Sequence, residues 1–144
     1  MNYSFDFAAP LEYLPDLLAG AWTTLTLSLA ATFFGFLVGV FCALASTGRT
    51  KWLARVAGAY IEVIRNTPLL VQVFLVYFGM ASMGFKVGAF TAATVALVVN
   101  VGAYTSEIVR AGIESIPKSQ LEAAETLGLT RWQTLRHVVL PPAI

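Results

Sequence analysis

Charge is scarce in this chain. Asp, Glu, Lys and Arg make up 12% of its 144 residues, and apolar residues make up 58%. Soluble domains carry roughly 25% charged residues, so a single water-facing globule fits this composition poorly. The net charge is +1, which leaves no bulk attraction to nucleic acid. The one cysteine, Cys42, sits inside an apolar run, so no internal disulfide can form. The one histidine, His137, has neither a cysteine nor a second histidine near it in sequence, which argues against a zinc site. No nucleophile set of the Ser-His-Asp or Cys-His kind can be assembled from these residues. The nearest approach to a phosphate loop runs from Gly79 to Lys86. There the lysine comes one residue late, and Val87 stands where Ser or Thr is needed. The chain is expected to be no enzyme, to bind no metal and to hold no cofactor of its own.

What is present is long apolar stretches. No residue from Leu17 to Gly48 is charged, and the same holds for Asn66 to Phe85 and for Val87 to Ser106. A spanning helix needs about 20 mostly apolar residues, so spans are expected near 20–46, 60–81 and 88–108. Glu62 and Arg65 intrude at the start of the second, and Pro68 should kink it or begin its regular part. The competing reading is a buried hairpin of core helices, although soluble folds seldom contain three such runs. The first run is no cleaved signal peptide: it is too long, and no basic residue precedes it.

Basic residues are segregated. Arg49, Lys51, Arg55 and Arg65 lie between the first and second spans; Arg110, Lys118, Arg131 and Arg136 follow the third; Lys86 alone falls on the other side. Cytoplasmic loops carry the excess of Lys and Arg, so the N-terminus is expected outside and Glu122–Pro141 in the cytosol.

Ala31, Gly35, Gly39 and Ala43 recur every four residues in the first span. Such a small-residue stripe lets helices approach closely in lipid, though Gly and Ala are also simply common there. Gly35 and Gly39 are the expected packing positions. In the third span Asn100, Tyr104 and Glu107 share one helical face. Polar groups at this depth usually face protein or a water-filled path. Asn100 and Tyr104 are candidates for lining a substrate pathway, and Glu107 for a place at headgroup level.

After the third span, Ile116-Pro117 should break the helix. Ser119 stands three residues before Glu122 and Thr130 three before Gln133, two capping-box patterns. Gly128 between them suits a left-handed helix terminus. The expected product is a short helix, a glycine corner and a second helix running to Leu140. Its small side chains Ala123 and Ala124, beside Glu122, suit either a helix lying on headgroups or one docked in another protein.

Glu122-Ala123-Ala124, Gly128 and Val138-Val139-Leu140-Pro141 resemble the EAA loop of binding-protein-dependent ABC importer permeases, with Val138 where that pattern has Ile. Tyr60 to Gly79 and Asn100 to Leu129 resemble the polar amino acid permeases, the histidine/glutamine/glutamate/arginine/opine group. The resemblance implies an all-α polytopic membrane bundle of the MetI-like kind. Residues 1–19 would be extracytoplasmic, 20–144 the transmembrane domain, and 117–141 the EAA loop. It implies that Glu122, Ala123, Ala124 and Gly128 couple to a separate ATPase subunit. It also implies partners: an ATP-binding subunit dimer that holds the ATP, a second permease subunit and an extracytoplasmic solute-binding protein, with membrane lipid around them all. The bacterial inner membrane is the implied location. Such permeases usually have five spans, so with three here the chain is expected to be incomplete. A rival is a non-transporting scaffold that recruits a cytosolic protein through the same hairpin. A secondary transporter would place ionisable residues at mid-membrane, and no span has one at its centre.

Overall fold

The computed structural model describes residues 12–48, 50–139 and 141. Among them no strand occurs. The helices are α1 Leu14–Thr47, α2 Lys51–Arg65, α3 Leu69–Ser82, α4 Ala89–Glu114, α5 Lys118–Thr126 and α6 Arg131–Thr134, which runs on into a π-helical turn, Leu135–Val139.

Two of these helices are long and apolar enough to cross a bilayer unaided, α1 with 34 residues and α4 with 26. At 1.5 Å per residue they reach about 51 and 39 Å, beyond the roughly 30 Å hydrocarbon layer. α1 starts earlier than the expected 20. Pro15 falls in its first turn, where the missing N–H would find no helical partner anyway. The segment expected to lie outside the membrane, 1–19, therefore contains the first turns of α1, and residues 1–11 lie outside the described ones.

The span expected at 60–81 is not one straight helix. α2 and α3 meet at a bend of 106°. Pro68 causes it: it holds Thr67 out of helical geometry and takes an extended ψ of 139° as it starts α3. A broken helix strands carbonyl groups, and inside a membrane these must be satisfied by the protein. Gln72 does so. Its Nε2 donates to Ile64 O at 2.9 Å and to Thr67 O at 2.8 Å. Thr67 Oγ1 donates to Val63 O at 2.7 Å. The Gln72 side chain is buried, one turn past the proline.

The bundle is built inside out relative to a soluble domain. Its buried apolar side chains are mostly alanines, including Ala31, Ala43, Ala92, Ala96 and Ala103, while large ones such as Phe33, Phe41 and Leu70 are exposed. Where lipid is the solvent, large side chains gain nothing by hiding, and small ones let backbones close up. α1 and α4 meet along that small surface. A Cβ added at Gly35 would stand 2.7 Å from Val101 Cγ1 and 3.2 Å from Val98 O. One added at Gly39 would stand 2.5 Å from Thr105 Cβ and 2.9 Å from Gly102 O. The contact advances in step along both chains, so the two helices run parallel. Tyr60 ties α2 to the same seam by donating to Val99 O at 2.6 Å.

Candidate functional site

Two groups of residues stand out from the lipid-facing bundle. One is the hairpin that follows α4. Ser115 caps that helix, and Pro117 blocks its continuation. The expected capping box from Ser119 is absent. Pro117 itself occupies the N-cap with ψ 136°, α5 starts at Lys118, and no side chain caps it. The proline sets the start two residues early, which puts Ser119 inside the first turn. At the other end the glycine corner is well formed. Gly128 adopts φ +72°. Its N–H donates to Glu125 O at 2.9 Å, and the Leu129 N–H donates to Ala124 O at 3.1 Å. This pair of bonds is a Schellman terminus, and glycine takes its left-handed residue without strain.

The second capping box is present. Gln133 N–H donates to Thr130 Oγ1 at 3.4 Å, and Thr130 N–H donates to Gln133 Oε1 at 2.8 Å. The helix it opens is shorter than expected, ending at Thr134 before the π turn. Leu140, its expected last residue, lies outside the described ones, and Pro141 just beyond has no N–H to extend a regular ladder. α5 packs against the π turn, burying Ala124 and Val139.

The hairpin therefore sorts its expected site residues by face. Glu122 and Ala123 are exposed, and Leu127 next to the corner is 77% exposed. Ala124, expected with them, is 2% exposed. It closes the hairpin from within and is not part of the free surface. A groove of ≈ 430 Å³ runs between the two arms, lined by Gln120, Ala123, Leu127 and His137 among others.

The other group lies where α2 meets α4. The carboxylate of Glu107 pairs with Arg65 across the two helices at 3.3 Å and with Arg110 on its own helix. Arg110 also reaches Glu114 at 2.6 Å. The Arg65 guanidinium lies 5.7 Å from the centre of the Tyr104 ring, a cation–π distance. Arg65, Tyr104, Glu107 and Arg110, with Glu62, Asn66 and Ser46, line a cavity of ≈ 390 Å³. Asn100 is not among them. Its Nδ2 donates to Gln72 Oε1 at 3.2 Å, so its amide is engaged at the α2–α3 bend. The two candidate pathway residues are thus separated: Tyr104 faces the cavity and Asn100 holds the break. Gln72 is not singled out in the sequence, and Arg65 stands there only as a charge intruding on the second span and setting orientation. The signal for Gln72 is an uncharged polar side chain one turn after a proline in an apolar run.

A glycine-seamed parallel helix pair, a broken helix and a capped polar hairpin define a polytopic membrane protein. The chain belongs to the family of binding-protein-dependent transport system inner membrane components, whose model matches residues 13–144. It is 42% identical over 143 residues to the glutamine transport system permease protein GlnP of Escherichia coli K12, covering 97% of this chain and 65% of that one. It is 38% identical to the probable amino-acid ABC transporter permease protein YckA of Bacillus subtilis, covering 99% of this chain and 63% of that one. The chain thus spans just under two thirds of these relatives' length. Among solved structures, an amino acid ABC transporter crystallised with histidines matches with a TM-score of 0.88 and 42% identity over 98% of this chain and 66% of that one. The inward-facing MetNI methionine ABC transporter matches at a TM-score of 0.70 and 28% identity, over 92% of this chain and 64% of that one.

Proposed function

We propose that the chain is the transmembrane permease part of an ABC importer for polar amino acids, worked by a separate ATP-binding subunit that grips the α5 hairpin. The observation that carries this reading is the hairpin itself, fixed at one corner by Gly128 and at the next by the Thr130–Gln133 box, with Glu122 exposed and Ala123 exposed at the edge of the groove between its arms. A lever transmits a push only if its joints are stiff, and backbone-satisfied corners make them so. The permease names of the relatives support the substrate class. On this reading Glu122 pairs with a base on the ATPase, and Ala123 lets the helix sit deep in the cleft. Gly128 sets the angle at which the stroke reaches α4.

The rest of the assembly follows from the same reading. An ATP-binding dimer lies on the cytosolic side, a second permease subunit completes the passage, and a solute-binding protein delivers the substrate from outside. The bias of basic residues supports an outer N-terminus and a cytosolic hairpin. Tyr104, in the cavity with Arg65 and Glu107, lines the passage at its inner end. Glu122→Lys in the complete transporter should abolish uptake of labelled glutamine or arginine while leaving the protein in the membrane at normal level. Normal uptake by that variant would contradict the docking role of Glu122.

A further inference from the structure

Helix α2 is unlike the spans. It divides its surface into three stripes. Ala57 and Ile61 are buried against the bundle. Trp52, Val56, Ala59 and Val63, spaced four, three and four residues apart, form an exposed apolar stripe on a second side. Lys51, Arg55, Glu62 and Arg65 form a polar stripe on the third, with three bases to one acid. A helix with an outer apolar stripe beside a basic one belongs at a membrane–water boundary, not inside or outside it.

The placement of α2 agrees. α3 runs alongside α4, held by the Gln72–Asn100 bond, and α2 is turned 106° from α3, so it lies across α4. It crosses between Val99, whose carbonyl accepts from Tyr60 reaching down the seam, and Glu107, which Arg65 at the end of α2 meets at 3.3 Å. Glu107 stands at the polar end of that spanning helix. Lys51 and Arg55 stand at the other end of α2, exposed, flanking Trp52, which is 68% exposed. Neither base forms an ion pair with any described residue. Tryptophan favours the headgroup layer, and bases beside it attract anionic lipid.

We propose that α2 is an interfacial helix whose Trp52–Val56–Val63 stripe dips into the leaflet, and that Lys51 and Arg55 bind the headgroups of anionic phospholipids there. The occupant is lipid on charge grounds: Lys51 and Arg55 sit beside an apolar stripe, and among the described residues no carboxylate pairs with them.

The test makes Trp52 the sole tryptophan of the complete transporter, by Trp22→Phe, Trp132→Phe and replacement of any tryptophan outside these 144 residues, in protein reconstituted into nanodiscs. Acyl-brominated phosphatidylglycerol and acyl-brominated phosphatidylcholine, at equal fraction in the same lipid mixture, are compared as quenchers of its fluorescence. The expected result is enrichment of phosphatidylglycerol around Trp52 by about fivefold or more, as one or two bases near an anionic headgroup supply. Lys51→Gln with Arg55→Gln should remove the preference and leave quenching by both lipids equal. Salt of about 1 M, with a screening length of about 3 Å, should do the same to the unaltered protein. Equal quenching by the two lipids without these changes overturns the headgroup assignment. Quenching by neither, whether Trp52 is open to aqueous acrylamide or covered by a second copy, overturns the interfacial placement. If the double variant does not reconstitute, the lipid comparison and the salt series decide alone.

Discussion

Asn100 of α4 donates a hydrogen bond at 3.2 Å to Gln72, the side chain that caps the broken end of α2 from the first turn of α3. Through this contact a spanning helix holds a bend of 106° in its neighbour. Gln72 uses its amide fully: both N–H groups serve stranded carbonyls, and its oxygen accepts from Asn100. Losing a buried partner costs roughly 1–3 kcal/mol, because the remaining groups stay desolvated. Gln72→Leu should therefore lower thermal stability in detergent by an amount in that range. Asn100→Ala should cost less, since Gln72 keeps its two carbonyls. The double variant should cost less than the sum, as residues in direct contact do. Strict additivity would show that the pair is not coupled.

The α1–α4 seam makes a graded prediction. Gly39→Ala should destabilise more than Gly35→Ala. At Gly39 the new carbon meets Thr105 Cβ at 2.5 Å and a backbone oxygen at 2.9 Å, whereas at Gly35 the corresponding contacts, with Val101 Cγ1 and Val98 O, are longer at 2.7 and 3.2 Å. Overpacking of this kind costs typically about 1–3 kcal/mol. Gly79→Ala is the control. Nothing lies within 4 Å of its added carbon, so the substitution should be neutral or stabilising by roughly 0.5–1 kcal/mol through helix entropy. Melting temperatures of the three variants in one detergent settle the order, and a Gly79 variant as unstable as the Gly39 one would contradict it.

The glycine corner gives a functional counterpart. A side chain at φ +72° costs roughly 1–2 kcal/mol. Gly128→Val should therefore loosen or redirect the hairpin and reduce transport, while Gly128→Asn, which tolerates that conformation, should retain more. The comparison is made on uptake per membrane-inserted molecule. Equal uptake by both variants would show that the corner does not transmit force.

Much of the architecture was legible because membrane helices advertise themselves. Long uncharged runs marked α1 and α4, and the four-residue recurrence of Gly35 and Gly39 marked the face that meets α4. Gly128 and the Thr130–Gln133 box were readable because each depends on two or three local residues. Three features were not. The bend was expected only as a kink, since Pro68 shows where a helix breaks and not by how much. The Ser119–Glu122 box failed because Pro117 had already fixed the helix start, a competition that the motif by itself does not reveal. The different burial of Ala123 and Ala124 depends on how α5 packs on the π turn, which the resemblance to an EAA loop could not supply.

The account turns on the hairpin being held by a separate ATPase on the cytosolic side. The most direct test places a photoreactive amino acid at Ala123 in the complete transporter and irradiates intact cells. The account predicts a covalent adduct with the ATP-binding subunit, and none when the same group is placed at buried Ala124. Failure to form that adduct, or labelling of position 123 by a membrane-impermeant reagent from outside the cell, would contradict it.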